Sequence, residues 1–163
     1  APRAHRRPAL EGASRTEGLI VIGRSRLSRL SGWIMTACGI WLVALGVYFI
    51  GLRPPLLPED PRFLGATLAQ LREAAPGLEG WLRIVFTVMG GYMVGTGVLT
   101  LGLVRIAMPR QLPGTAWALG LAGLSTVVLM SAMNFVLHSD FRWVLALPAA
   151  LWIVGVAAYV ATD

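Results

Sequence analysis

Four stretches of the sequence carry no charged residue and are long enough to cross a lipid bilayer as helices. They cover residues 33–52, 84–104, 115–137 and 144–161. An α-helix rises about 1.5 Å per residue, so about 20 apolar residues match the roughly 30 Å hydrocarbon core of a bilayer. The pattern therefore predicts an all-α integral membrane protein, built as a bundle of four transmembrane helices.

The segments outside these spans differ in charge. Residues 1–32 form an arginine-rich arm with Arg3, Arg6, Arg7, Arg15, Arg24, Arg26 and Arg29. Arg105 and Arg110 lie in the short loop between the second and third spans, which holds no acid. Because basic residues concentrate in cytoplasmic segments, both termini are predicted to be cytoplasmic. The arm is expected to bind anionic lipid headgroups or to dock on a partner protein.

The loop at residues 53–80 would then face outward. Inside it, Thr67 and Gln70 have the spacing of a capping box, which predicts a short helix that continues to Ala75. Leu64, Leu68, Leu71 and Ala75 recur at helical spacing, so this amphipathic helix is expected to lie on the membrane surface or to cap the bundle. Glu59 and Asp60 precede it, and a solvated acidic pair is favoured over metal or acid–base chemistry, since two adjacent carboxylates alone do not make a site.

The second span is rich in small residues, and these fall on two faces of a helix. One face holds Thr87, Gly91, Gly95 and Gly102, and the other holds Gly90 and Gly97. Helices in lipid associate through close van der Waals contact, which small residues permit. We expect two neighbouring helices to pack closely here; a homodimer seam through Gly91 and Gly95, or space for a bound cofactor or lipid, are alternatives.

Three features of the chain occur together: four apolar spans, a proline-rich loop after the first span, and a glycine-containing run at the start of the second. That run reads Arg83-Ile-Val-Phe-Thr-Val-Met-Gly90-Gly91 and continues to Gly95 and Gly97. In these features residues 33–161 resemble small four-helix bacterial membrane proteins of the DUF4345 and DoxX-like type. The resemblance implies a four-helix bundle in the bacterial inner membrane. It supplies no activity that could be assigned to particular residues, and it does not include the arginine-rich arm.

The best candidate for chemistry is the outer end of the third span. Asn134 and His138 are four residues apart and share a helical face, and Asp140 could orient the imidazole. Such a histidine could ligate haem iron or chlorophyll magnesium, or bind a quinone oxygen, with Trp41 and Trp152 flanking a ligand near mid-membrane. The favoured alternative is that these residues cap the helix at the headgroup level, with Asp140 paired to Arg142, and that the tryptophans are buried in packing.

Composition narrows the function. The net charge of +6 invites a nucleic-acid partner, but seven of the fourteen basic residues precede the first span, where membrane orientation explains them. No span holds an acid, a histidine or a basic residue away from its ends, which argues against an ion-coupled transporter. Catalytic motifs are lacking, no cofactor is required, and a single cysteine, Cys38, excludes an internal disulfide.

The sequence thus predicts a non-catalytic accessory, stabilising or assembly subunit of a larger membrane complex, for example a respiratory or photosynthetic one. Its partners would be membrane lipids and other integral-membrane subunits. Two alternatives stay open: a protein that binds a quinone, lipid or pigment, and a small component of a quinone-linked membrane enzyme.

Overall fold

A computed structural model describes the backbone of residues 7–162 and the side chains of residues 23–162. All the regular elements in this part of the chain are helical. They are α1 (Arg7–Gly51), α2 (Glu59–Leu64), α3 (Leu68–Ala74), α4 (Leu78–Ile106), α5 (Thr115–Gly123), α6 (Leu129–Val136) and α7 (Arg142–Val160). A 3-10 turn at Met108–Arg110 follows α4, and a π-helical turn at Leu124–Val128 joins α5 to α6.

Four helices in the described chain are long and apolar enough to cross a membrane. They are Gly23–Gly51, Leu78–Arg110, Thr115–Val136 and Arg142–Val160, which confirms the number and the approximate positions of the four predicted apolar helices. The first helix is longer than its span, since α1 is continuous from Arg7 and no break separates the arm from the bundle. Arginine is a good helix former and no proline lies between Pro8 and Pro54, so nothing in the sequence stops the helix there.

Two helices each have two extensive neighbours: α1 packs against α4 and α7, and α7 packs against α1 and the third span. The contact of α1 with α4 is antiparallel and is made glycine to glycine. A Cβ on Gly46 would lie 2.6 Å from the carbonyl oxygen of Gly90, and a Cβ on Gly97 would lie 2.8 Å from that of Gly39. The two glycines of each helix are seven residues apart, so both pairs meet in the same register and the backbones approach closely.

The other small-residue face of α4 is not filled in this way. A Cβ placed on Gly91, Gly95 or Gly102 would meet nothing within 4 Å in the described chain. This differs from the expectation that two helices would approach α4. Among the described helices, α1 is the extensive neighbour of α4, and its glycines Gly39 and Gly46 lie against the face that carries Gly90 and Gly97.

The contact between α1 and α7 combines a buried hydrogen bond with apolar packing. Ser31 Oγ donates to the carbonyl oxygen of Gly155 over 2.7 Å, and a Cβ on Gly155 would lie 2.7 Å from Met35 Sδ. The core continues from there along α7 and the third span. Its buried members are Met35, Cys38, Leu42, Met108, Leu119, Val127, Ala149, Trp152 and Tyr159.

The third span packs on α7 around one tryptophan. Trp152 Nε1 donates to the carbonyl oxygen of Leu119 over 2.9 Å, and its indole occupies the space that a side chain at Gly123 would need. The π-helical turn begins immediately after Gly123. Trp152 is 2% exposed, so its ring and its N–H group are both engaged within the bundle.

The predicted loop helix is confirmed together with its capping box. Thr67 Oγ1 accepts from the Gln70 amide over 3.2 Å, while Gln70 Oε1 accepts from the Thr67 amide over 2.8 Å. No residue of α3 is buried. Of the two expected placements, capping of the bundle is therefore not seen in the described chain.

Candidate functional site

The two ends of the bundle differ in charge. At one end, which we call the loop end, lie the segment between α1 and α4 and the turn between α6 and α7; at the other, the arginine end, lie the base of α1, the α4–α5 connection and the end of α7. The five acids among residues 23–162 all lie at the loop end: Glu59, Asp60, Glu73, Glu79 and Asp140. The arginine end carries Arg24, Arg26, Arg29, Arg105 and Arg110.

At the arginine end, two side chains converge on one carbonyl group just after the end of α7. Arg24 Nη2 donates to the carbonyl oxygen of Thr162 over 3.2 Å, and Gln111 Nε2 donates to the same oxygen over 3.1 Å. The free carbonyls at a helix C-terminus carry partial negative charge, so a cation stabilises them. These contacts bring the base of α1 and the end of α7 to the same end of the molecule.

Of the remaining arginines of the predicted arm, only Arg26 and Arg29 have described side chains. Arg3 and Arg6 lie outside the described residues, and of Arg7 and Arg15 only the backbone is described. Arg26 is exposed, and Arg29 is exposed with its Nε donating to the Ser25 carbonyl of its own helix over 3.3 Å. The described part of the arm therefore presents an exposed basic helix surface.

At the loop end, a buried hydrogen bond fastens α2 to the turn between α6 and α7. Ser139 Oγ donates to Glu59 Oε1 over 2.9 Å and also accepts from the Phe141 amide over 3.2 Å. Glu59 is 2% exposed and Ser139 is 1% exposed. The prediction of a solvated acidic pair is therefore wrong for Glu59, because the fold brings Ser139 from 80 residues away to supply a donor.

A second, weaker contact lies beside this one. Arg62 Nη2 is 3.3 Å from Asp140 Oδ2, and the two side chains are 62% and 69% exposed. The pairing of Asp140 with Arg142 that the sequence suggested is therefore wrong, and Asp140 forms no hydrogen bond with the imidazole of His138 in the described chain. An ion pair this exposed contributes about 0–1 kcal/mol.

His138 closes α6. Its φ of 53° is left-handed, its amide donates to the Phe135 carbonyl over 3.1 Å, and the Ser139 amide donates to the Asn134 carbonyl over 3.0 Å. This is the hydrogen-bond pattern of a Schellman C-cap, in which glycine is the usual residue. The exposed imidazole lies with Nδ1 3.0 Å from the Val136 carbonyl. Its backbone thus serves as the helix terminus.

The other predicted ligand residues do not gather around His138. Asn134 Nδ2 donates to the Met130 carbonyl of the same helix over 2.9 Å. Trp41 packs against the hydrophobic core, in which Trp152 is buried. No group of three or more metal-ligating side chains occurs among the residues whose side chains are described.

A cationic group that the sequence did not single out lies at the loop end of α1. The guanidinium carbon of Arg53 lies 3.6 Å from the ring centroid of Phe86 and 5.3 Å from that of Phe49, and Nη1 donates to the Pro54 carbonyl over 2.9 Å. Burial lowers the pKa of Arg53, and the carboxylates of Asp60 and Glu59 act against that shift. Aromatic faces attract a cation, so the rings hold this side chain in place. The sequence could have indicated the contact with Phe49, because Phe49 precedes Arg53 by one helical turn. It could not have indicated the contact with Phe86, which comes from another helix.

An open cavity of about 230 Å³ lies between α2, the first turns of α4 and the end of α6. Its walls are apolar side chains that include Phe63, Leu82, Phe86 and Leu137, and its polar wall residue is Asp60. Asp60 Oδ2 accepts from the Leu57 amide over 2.7 Å, which fixes the carboxylate at the wall. The arrangement offers an apolar space with one hydrogen-bond acceptor.

Comparison of the chain with protein-family models, with curated proteins and with solved structures found no match. The resemblance to DUF4345 and DoxX-like proteins therefore stays a prediction. Function has to be inferred from the surfaces and cavities of the bundle itself.

Proposed function

We propose that this chain is a multi-pass protein of the bacterial inner membrane and serves as a non-catalytic accessory or assembly subunit of a larger membrane complex. The supporting observation is the outward face of α4. Gly90 and Gly97 are filled by α1, whereas Gly91 and Gly95 meet nothing within 4 Å in the described chain. One helix thus carries two close-packing faces, of which the bundle uses one.

Close packing is the physical basis of helix association in lipid. Lipid tails are as apolar as leucine, so contact area and small residues decide which helices associate. The outward face of α4 combines the Gly91-x-x-x-Gly95 groove with exposed side chains beside it, Val98 at 55% and Leu99 at 71%. A groove flanked by larger side chains accommodates a second transmembrane helix, from another subunit or from a second copy of this chain.

Tyr92 supports a protein neighbour on this side. It lies at the middle of α4, is 74% exposed and forms no hydrogen bond through its hydroxyl within residues 23–162. Tyrosine in membrane helices favours the interfaces, where its hydroxyl meets water. A hydroxyl in hydrocarbon without a partner costs about 1–3 kcal/mol by protein mutational data. A partner helix that supplies an acceptor would remove that cost.

The charge difference between the two ends supports the orientation. Each end carries five arginines of residues 23–162, but all five described acids lie at the loop end, so only the arginine end has a net positive charge. The positive-inside rule then places the arginine end, with both termini, in the cytoplasm. There the basic surface of α1 would bind anionic headgroups or an acidic partner.

The test is purification of the tagged chain from its native membrane in mild detergent, with mass spectrometry of copurifying proteins. Wild type should bring down stoichiometric integral-membrane subunits or a second copy. The double variant Gly91→Ile, Gly95→Ile should lose them, because two branched side chains fill the groove.

The matched control is Gly32→Ile, which adds the same side chain to α1 at a position where a Cβ meets nothing within 4 Å among the described residues. It should retain the partners. Partners that survive the double variant, or a wild-type chain that purifies alone, would contradict the proposed function.

A further inference from the structure

The cavity at the loop end has the size and position of a site for the head of an amphiphile. Its volume of about 230 Å³ is below the roughly 300–1,000 Å³ of most ligand sites, which suits a single substituted ring. Its walls come from the first turns of the second span and the end of the third, where a bilayer gives way to water. Because the cavity is open, a chain attached to such a ring can leave it.

The side chains at its rim are apolar although they lie outside the spans. Phe63 is 57% exposed and Leu64 is 56% exposed, both on α2. The hydrogen bond between Ser139 and Glu59 holds α2 in this position, so the rim is anchored. Phe63 and Phe86 are aromatic residues of the cavity wall, and aromatic contacts favour an aromatic ligand.

Asp60 determines what polar group this cavity can take. Oδ2 is used by the Leu57 amide, and Oδ1 accepts no hydrogen bond from the part of the chain whose side chains are described. A carboxylate accepts hydrogen bonds and does not donate them, so the ligand must carry a donor. A neutral donor is sufficient, because the guanidinium of Arg53, 3.6 Å from the centroid of Phe86, already supplies a positive charge near the Asp60 carboxylate.

We propose that the loop-end cavity binds the hydroxyl-bearing ring of a lipophile of the phenol or quinol class, and that Asp60 Oδ1 accepts the hydrogen bond from its hydroxyl. The ring lies between the walls formed by α2 and α4, and the apolar tail extends into the membrane. This site is separate from the outward face of α4 and does not depend on the proposed subunit role.

The test compares two probes that differ in one donor, 4-decylphenol and its methyl ether 4-decylanisole. Binding to the full chain in nanodiscs is measured by calorimetric titration, with empty nanodiscs to subtract partitioning. The phenol should bind about 10- to 100-fold more tightly than the ether, the ratio expected for a hydrogen bond to a charged group.

The decisive variant is Asp60→Asn. It keeps an oxygen for the Leu57 amide and presents an N–H donor instead of an acceptor. The preference for the phenol should disappear or reverse. Glu73→Gln makes the same change at an exposed acid of α3 and should leave the preference unchanged.

A second variant provides an independent test in case Asp60→Asn does not fold. Leu82→Trp fills the cavity and leaves Asp60 in place, so it should abolish saturable binding of both probes. The site is refuted if wild type shows no saturable binding, binds both probes equally, or keeps its preference in Asp60→Asn. Loss of copurifying partners in the Gly91→Ile, Gly95→Ile variant, with probe binding intact, would separate this site from the subunit role.

Discussion

The two faces of α4 allow one alanine scan to test the packing directly. An ideal Cβ on Gly90 would lie 2.6 Å from the carbonyl oxygen of Gly46 and 2.8 Å from Ile50 Cγ1. On Gly91, the next residue, a Cβ would meet nothing within 4 Å in the described chain. Gly90→Ala and Gly91→Ala therefore make the same chemical change in the same helix, one against a neighbouring backbone and one away from it.

The magnitude follows from the distances. Ordinary contacts begin near 3.4 Å, so α1 and α4 must separate by roughly 0.8 Å to admit the methyl group of Gly90→Ala. Overpacking of this kind costs about 1–3 kcal/mol. Alanine is also better than glycine within a helix, by about 0.8–1.0 kcal/mol in water, and this gain applies to both variants. The difference between the two unfolding free energies, Gly91→Ala minus Gly90→Ala, should therefore be about 1–3 kcal/mol.

The assay is reversible unfolding of the purified, dilute chain by sodium dodecyl sulfate in dodecylmaltoside micelles, followed by circular dichroism. Gly91→Ala should be as stable as wild type or slightly more stable, and Gly90→Ala should be less stable than Gly91→Ala. Gly97→Ala and Gly95→Ala form a second matched pair on the same two faces. If both members of each pair change stability equally, the close approach of α1 and α4 is wrong.

Three further outcomes are expected in the same assay. Ser139→Ala removes the donor to Glu59 and should lower the unfolding free energy by about 1.5–3 kcal/mol, the value of a hydrogen bond to a charged group; an unchanged value would mean that α2 is not fastened. His138→Gly should raise it by up to about 1 kcal/mol, because glycine adopts the left-handed conformation without strain, and no gain would argue against that cap. Trp152→Phe leaves the Leu119 carbonyl without its indole donor and should lower it by about 1–3 kcal/mol, whereas equal stability would place the indole elsewhere.

The proposed subunit role depends on which face of α4 is covered by α1 and which is exposed. Hydropathy alone could not distinguish the two faces. The sequence placed Gly90, Gly91, Gly95 and Gly97 on two faces of one helix. Which face α1 covers depends on the glycines of α1, whose seven-residue spacing matches Gly90 and Gly97 when the helices run antiparallel. That match requires knowing which helices are neighbours.

The candidate ligand residues show the same limit. His138 was singled out for its ring, but its backbone conformation shows how the chain uses this position, as the residue that ends α6. Arg53 and Asp60 acquire their surroundings from Phe86 and from the cavity walls of other helices. These contacts are made with residues that are distant in the sequence, so the residues next to Arg53 and Asp60 in the chain do not predict them.

Local patterns in the sequence determined the four apolar helices and the capped helix α3, because charge-free length and the Thr67–Gln70 box act over a few residues. The tertiary structure alone decided that α1 packs against both α4 and α7, that Glu59 is buried and that a cavity lies beside α2. Each depends on contacts between distant segments, such as the 80 residues between Glu59 and Ser139. Hydrophobicity determines that a helix is buried in lipid or protein. Complementary shapes and polar partners determine which neighbouring helix it packs against.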